Sequence, residues 1–178
     1  MGVQARTQGQ SHKRADHRGV TLVEIILVFA IVGILASTSV LLIGHLHYAD
    51  TEKAAKYINS CMDKLQVQTI SKEQTPYLYI YHYDGATYAR MLTDDITSFD
   101  SAKFNADGEK LANDRVAIYK DSLGGTRVDG TDFIKIAYNR SGEFDTSLTN
   151  ASSIVVDGVG TYTIKLVTDT GKHFVKKS

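Results

Sequence analysis

The sequence predicts an α+β fold, a long N-terminal helix packed on a small antiparallel sheet. Three observations predict it. Residues 20–44 form an apolar run with a single ionisable side chain, Glu24. Residues 49–72 contain neither Gly nor Pro and repeat apolar side chains every three or four positions. The remainder alternates apolar and polar residues in short stretches separated by Asp-Gly, Ser-Gly and Thr-Gly pairs. At 178 residues the chain has one domain's length. Lys and Arg number 20 and Asp and Glu number 20, so the formal charge is zero. That balance excludes a strongly basic nucleic-acid binder and an acidic disordered chain as descriptions of the whole protein. A single Cys excludes an internal disulfide and a cysteine-based zinc cluster.

The charge is unevenly spread. Residues 1–19 hold Arg6, Lys13, Arg14 and Arg18 against Asp16, and the rest of the chain is slightly acidic. As a helix, residues 22–43 would span about 33 Å at about 1.5 Å per residue, and a bilayer core is about 30 Å thick. The basic flank precedes the run, so residues 1–19 are expected in the cytoplasm and the bulk outside. Two alternatives compete with a membrane helix. A buried core helix does not need about 20 consecutive apolar positions beside a basic flank. An ordinary secretory signal would be cut near the small residues Ala36-Ser37-Thr38-Ser39. Neither an ordinary signal nor a passive anchor gains anything from Glu24, because a carboxylate within the apolar run costs up to about 3 kcal/mol at the membrane centre. An acid there marks a functional site with a partner.

Arg18-Gly19-Val20-Thr21-Leu22-Val23-Glu24 and the apolar run after it resemble the class III signal of type IV pilins and pseudopilins. The resemblance covers about the first 45 residues. It implies that a membrane-embedded aspartyl prepilin peptidase cuts between Gly19 and Val20 and methylates the new amine of Val20. Glu24 then becomes the fifth residue and the assembly contact. Val20 stands where that family most often has Phe, and the helix lacks the Pro found near its middle in major pilins. Physical chemistry runs the same way. Cleavage before the apolar run leaves the anchor attached and creates a cationic amine, and in a staggered bundle the Glu24 of one subunit can meet the amine of its neighbour. Pairing offsets the burial cost of both charges and fixes the axial register.

Beyond the run, Ala54, Ala55, Ile58, Met62, Leu65 and Thr69 share one helical face, while Glu52, Lys53, Lys56 and Lys64 point elsewhere. One helix is therefore expected over residues 22–70, ended by Thr75-Pro76 because the residue before Pro is pushed out of the helical region. Cys61 lies on or beside the apolar face and reads as a small buried hydrophobe. His45 and His47, two residues apart, point to different helix faces and do not form a metal pair.

The chain thus divides into a leader (1–19), an apolar assembly segment (20–44), the outer half of the helix (45–72) and a β-rich head (73–178). Tyr77-Leu78-Tyr79-Ile80-Tyr81-His82-Tyr83 alternates strictly, and Asp84-Gly85 returns the chain as Thr87-Tyr88-Ala89-Arg90-Met91-Leu92, a hairpin. Its four tyrosines share a face, which is either covered within the protein or open to sugars and partner proteins. Residues 116–119 and 133–138 read as further strands, and residues 162–167 and 173–175 flank Asp169-Thr170-Gly171 as a final hairpin. Ile136-Ala137-Tyr138 with Ser141-Gly142-Glu143, followed by Tyr162-Thr163-Ile164-Lys165-Leu166 and Thr170-Gly171-Lys172, more loosely resembles the H-type minor pseudopilins over residues 133–175.

Phosphate-loop, dinucleotide-binding, zinc-protease and serine-hydrolase motifs are absent from the sequence, so no catalytic residue, cofactor or metal is expected. Asn105, Asp107 and Glu109, and likewise Asp94, Asp95 and Asp100, lack calcium-loop spacing and read as solvated acidic loops. Asn139-Arg140-Ser141 and Asn150-Ala151-Ser152 fit glycosylation sequons, a pattern that chance supplies often. Lys172, Lys176 and Lys177, with His173, form either a solvated tail or a weak contact for a phosphate backbone. The expected function is a non-enzymatic prepilin-type subunit, a minor pilin or pseudopilin. It would sit in the cell membrane as a single pass before joining a filament at the cell surface. The resemblance implies as partners a prepilin peptidase, other pilin or pseudopilin subunits, an assembly ATPase and a platform protein, with membrane lipid before assembly. An exported enzyme or binding protein on an ordinary signal is the rival from another class, and a DNA-uptake subunit is the rival within the family.

Overall fold

The computed structural model describes residues 21–178, with the side chains of residues 38–49 outside the description. The chain divides into two compact units, Met1–Val40 and Leu41–Ser178. A single helix, α1 (Leu22–Ser71), runs through 50 residues, close to the predicted bounds. No Gly closes it; the Lys72 amide still donates to the Gln68 carbonyl at 2.9 Å. The helix stops four residues before Thr75-Pro76, so the proline follows the end rather than causing it.

Nine strands follow: β1 (Tyr77–Tyr83), β2 (Ala86–Leu92), β3 (Glu109–Asn113), β4 (Ala117–Lys120), β5 (Thr126–Arg127), β6 (Phe133–Ile136), β7 (Ser153–Asp157), β8 (Thr161–Val167) and β9 (Lys172–Lys177). They make two sheets, ordered β3-β2-β1-β6 and β5-β4-β7-β8-β9, and every pairing is antiparallel. The α+β expectation holds, as do the β1–β2 and β8–β9 hairpins. Three strands had gone unread. β7 is a continuous Ile154-Val155-Val156 run, buried on both faces at the centre of its sheet, and shows no alternation to detect. β3 is a mostly polar edge strand, and β5 has two residues.

Within the unit Leu41–Ser178, one apolar stripe of the helix organises the main core. Ala54, Ala55, Ile58, Met62, Leu65 and Thr69 are all buried, as their spacing predicts. They meet Leu78, Ile80, Ile134 and Ile136 from one sheet and Ile118, Ile154, Val156, Ile164 and Leu166 from the other. Each large aliphatic buried there contributes roughly 1.5–3 kcal/mol. The buried Thr69 hydroxyl donates to the Leu65 carbonyl at 2.9 Å, so it carries no unmet hydrogen bond.

The opposite face of β1 builds a second, aromatic core. Tyr79 and Tyr81 are fully buried with Ile96 and Phe104, and Phe99 and Phe133 pack around them. The Tyr81 and Phe104 rings stack with centroids 4.7 Å apart. The cover is the long connection between β2 and β3. Its backbone ties to the tyrosine tips: the Tyr79 hydroxyl donates to the Asp94 carbonyl at 2.9 Å and accepts from the Ile96 amide at 2.8 Å. Burial pushes the Tyr79 phenol up to about 12, so it stays neutral and keeps both bonds. The tyrosine face is thus covered within the protein and does not present Tyr79 or Tyr81 as a sugar platform.

Two chain reversals close on the helix at Gln66. Its side-chain amide donates to the Gly142 carbonyl at 2.6 Å. Gly142 (φ 86°) and Gly171 (φ 64°) both occupy the left-handed region. A Cβ on Gly171 would stand 1.8 Å from the Gly142 carbonyl oxygen, whereas one on Gly124 (φ 82°) would meet open space. Gly124→Ala should therefore cost about 1–2 kcal/mol, the left-handed penalty alone. Gly171→Ala should cost upwards of about 3 kcal/mol, since strain and clash combine. Urea titrations of both variants against the parent measure the difference; equal costs would refute the close-approach account.

Candidate functional site

At the start of the helix, Thr21 acts as the N-cap. The Glu24 amide donates to the Thr21 hydroxyl at 3.2 Å and to its carbonyl at 3.0 Å, and the Ile25 amide reaches that carbonyl at 3.2 Å. Thr21-x-x-Glu24 is the capping-box pattern, and an acid in the first turn complements the positive end of the helix dipole. Glu24 is exposed. The expected cleavage and methylation residues, Gly19 and Val20, lie outside the described residues.

From Leu22 onward the helix is apolar on every side. Leu22 is 74% and Phe29 72% exposed, and Val23, Ile25, Ile26, Leu27, Val28, Ile31, Val32, Ile34 and Leu35 are likewise open. A helix apolar all round needs an apolar environment or neighbours. Among the described residues no helix is long and apolar enough to cross a membrane. The side chains of residues 38–49, which continue the apolar run in the sequence, lie outside that description, as do His45 and His47.

In the head, the candidate chemistry resolves into structure. Cys61 is buried on the helix, and burial pushes its thiol above the ordinary value. Three of the acidic groups of the β2–β3 connection are ion-paired rather than only solvated: Asp94 with Lys103 at 2.6 Å, Asp95 with Lys135 at 2.5 Å, Asp107 with Arg90 at 3.5 Å. Among the described residues no group of three His, Cys, Asp or Glu is arranged to hold a metal ion. The Asn139 carboxamide oxygen accepts from the amides of Ser141 and Glu143, shaping the turn. Asn150 donates to the Phe133 carbonyl and accepts from the Lys135 amide, at 3.1 and 2.8 Å. Both sequon asparagines thus have structural work.

The basic tail is divided by strand alternation. His173 is withdrawn from it: its imidazole reaches Asp63 of the helix at 3.1 Å and the Tyr138 hydroxyl at 3.2 Å, with 4% of its side chain exposed. Lys177 shares that face of β9 and lies near Glu52, whose carboxyl is held below its ordinary value first by Lys56 and also by Lys177. Lys172 and Lys176 point to the other face, with Phe174 between them. The grouping of Lys172, Lys176 and Lys177 as one contact is therefore corrected: consecutive residues of a strand face opposite ways. Lys165 and Phe174, which sequence reading passed over, pair directly across β8 and β9 on the outer face. The alternation within residues 172–177 was the signal that would have revealed Phe174.

The family described as the prokaryotic N-terminal methylation motif matches residues 14–40. That span carries Arg14, Arg18, Gly19, Val20, Thr21, Glu24 and most of the apolar run, and identifies a prepilin-type signal. No curated protein and no solved structure matches the chain. The H-type resemblance of the head thus gains no support beyond the pattern of its turns.

The buried thiol makes a direct prediction. Cys61 should resist alkylation in the folded protein at pH 8 and react fully in denaturant, because the neutral thiol is the inert form. Mass spectrometry after timed iodoacetamide exposure reads this, and rapid labelling of the folded chain would contradict it.

Proposed function

We propose that this chain is a structural subunit, a minor pilin or pseudopilin, whose signal is removed between Gly19 and Val20 and whose helix then packs among other subunits. The observation that carries the reading is the coincidence of three features in one segment. The methylation motif covers residues 14–40, a capped helix begins directly after the expected scissile bond, and the helix behind it is apolar on all sides.

The capping geometry supports a specific order of events. Thr21 would be the second residue of the processed chain, so cleavage removes the basic leader and keeps the cap. The new Val20 amine then lies one residue before the cap. Its positive charge, added to the positive helix end, favours an anion nearby. Glu24 of an adjoining subunit supplies one. In lipid that carboxylate is costly; beside an amine it is compensated, and loss of either partner strands the other. The subunit therefore needs a prepilin peptidase, neighbouring pilin or pseudopilin subunits, and the ATPase and platform protein that extract it from the membrane. The membrane-spanning segment is residues 20–44, with the leader cytoplasmic and the head outside, in keeping with the basic flank.

Mass spectrometry of the protein from its native host tests the reading. The expected N-terminus is Val20 with one added methyl group. A chain that retains its first nineteen residues while assembling, or one that begins near Ser37, overturns it. Glu24→Ala should still be cleaved and reach the membrane, while its incorporation into filaments falls at least about tenfold. Immunoblots of sheared filaments against membranes measure that ratio.

A further inference from the structure

Where the helix enters the head, an exposed apolar tip stands beside a group of cations. A cavity of about 380 Å³ is lined by Asp50, Lys53 and Tyr57 from the helix, Lys110 from β3 and Arg115 from the β3–β4 turn. A second cavity, of about 350 Å³, adjoins it through Asp50 and Arg115 and reaches Gly158 and Val159 in the turn between β7 and β8. Among these lining residues Asp50 is the single acid, against Lys53, Lys110 and Arg115. Two further carboxylates at this end are engaged elsewhere: Asp114 with His82 at 2.7 Å, and Asp157 with the Thr161 hydroxyl at 2.6 Å. Val159 is 58% exposed at a turn tip, a place where polar residues are the rule. Its turn is pinned to the helix: a Cβ on Gly158 would stand 2.3 Å from the hydroxyl oxygen of Thr51, which is fully buried.

Distance along the helix gives these features a common setting. The apolar run ends at Gly44, and α1 continues unbroken to Ser71. Gly44, Thr51 and Lys53 belong to the same unit, Leu41–Ser178. Thr51 and Lys53 therefore stand about 10 and 14 Å beyond Gly44 along the axis. The headgroup layer on each side of a bilayer core is roughly 5–8 Å thick. Side chains of a helix tilt toward its N-terminus, so Lys53 leans back toward that layer.

We propose that this end of the head docks on the membrane before assembly. Val159 enters the headgroup layer, Lys53 and Arg115 hold the phosphates of anionic phospholipid, and Lys110, deeper in the cavity, adds to the positive field. The proposal rests on reading residues 20–44 as the membrane segment. An anionic lipid surface fits the cations by charge, at about the height where headgroups lie. An acidic protein or a free phosphate would also suit the cations, but neither accounts for an apolar tip at that height. Docking would hold the subunit against the bilayer until extraction breaks these contacts.

The test uses the full chain in vesicles of phosphatidylcholine with and without phosphatidylglycerol. An environment-sensitive fluorophore is attached at one introduced cysteine: Val159→Cys, Leu123→Cys in the β4–β5 turn at the far end of the head, or Leu27→Cys in the apolar segment. Cys61, being buried, takes no label in the folded chain. The label at position 159 should brighten with phosphatidylglycerol and dim with added salt, and the label at 123 should do neither. Lys53→Gln and Arg115→Gln should each lower the docked-to-free ratio about fivefold. Lys172→Gln, the same loss of charge at the far end, should leave it unchanged. A label at 27 that reports lipid beside a label at 159 indifferent to phosphatidylglycerol overturns the docking and leaves the membrane reading standing. A label at 27 that reports water overturns the membrane reading and the docking with it. Equal effects of Lys53→Gln and Lys172→Gln overturn the site, since they mark a diffuse charge effect. So does displacement by polyglutamate or glycerophosphate beyond that by sodium chloride of equal ionic strength, which would assign the cations to an acidic protein or a free phosphate.

Discussion

Ala54, Ala55, Ile58, Met62, Leu65 and Thr69 occupy one side of a helix, and two separate sheets converge on that side. The sheets share no strand. What joins them is the helical stripe and the aliphatic side chains each sends toward it. Charge on this stripe would separate the sheets from their common support, because an unpaired charge buried there has no compensating partner.

Around that centre, polar groups serve mainly to hold loops over apolar surface. The connection covering Tyr79 and Tyr81 is tied by backbone bonds to their hydroxyls and by the ion pairs of Asp94, Asp95 and Asp107. Lys135 is the most deeply placed of these cations, with 8% of its side chain exposed, and its ammonium lies 5.3 Å from the centre of the Tyr77 ring. His82 does similar work at the other end of β1, with Asp114 at 2.7 Å and Asp129 at 3.5 Å on its two nitrogens. Groups that suggest metal or acid–base chemistry in a linear reading are therefore loop fasteners.

Much of this architecture is legible in the sequence, and the reason is periodicity. The outer half of the helix announces itself through 3.6-residue spacing and the absence of Gly and Pro over residues 49–72, and β1 through strict alternation around Asp84-Gly85. β7 was illegible because a strand buried on both faces loses its period, and β3 because a polar edge strand has no apolar face to display. The prepilin signal was legible because Glu24 is unexpected in an apolar run. The basic residues of the tail were visible, but their division between two faces was not. It depends on β9 being a strand throughout residues 172–177, when only residues 173–175 carried the strand signal. Lys165 joins Phe174 on the outer face through register alone, which no local pattern encodes.

The crowding of Gly142 against Gly171 makes two distant stretches of chain move as one. The carbonyl that Gly171 approaches belongs to the turn carrying Asn139, Ser141 and Glu143, and Gln66 of the helix grips the same oxygen. The final hairpin therefore cannot swing away from the helix without passing the 139–145 turn, nor can that turn lift without freeing the hairpin. Slow amide exchange in the two segments would then report a single opening event, and substitutions at the two glycines would be strongly non-additive, since whichever came first would already have displaced the shared oxygen.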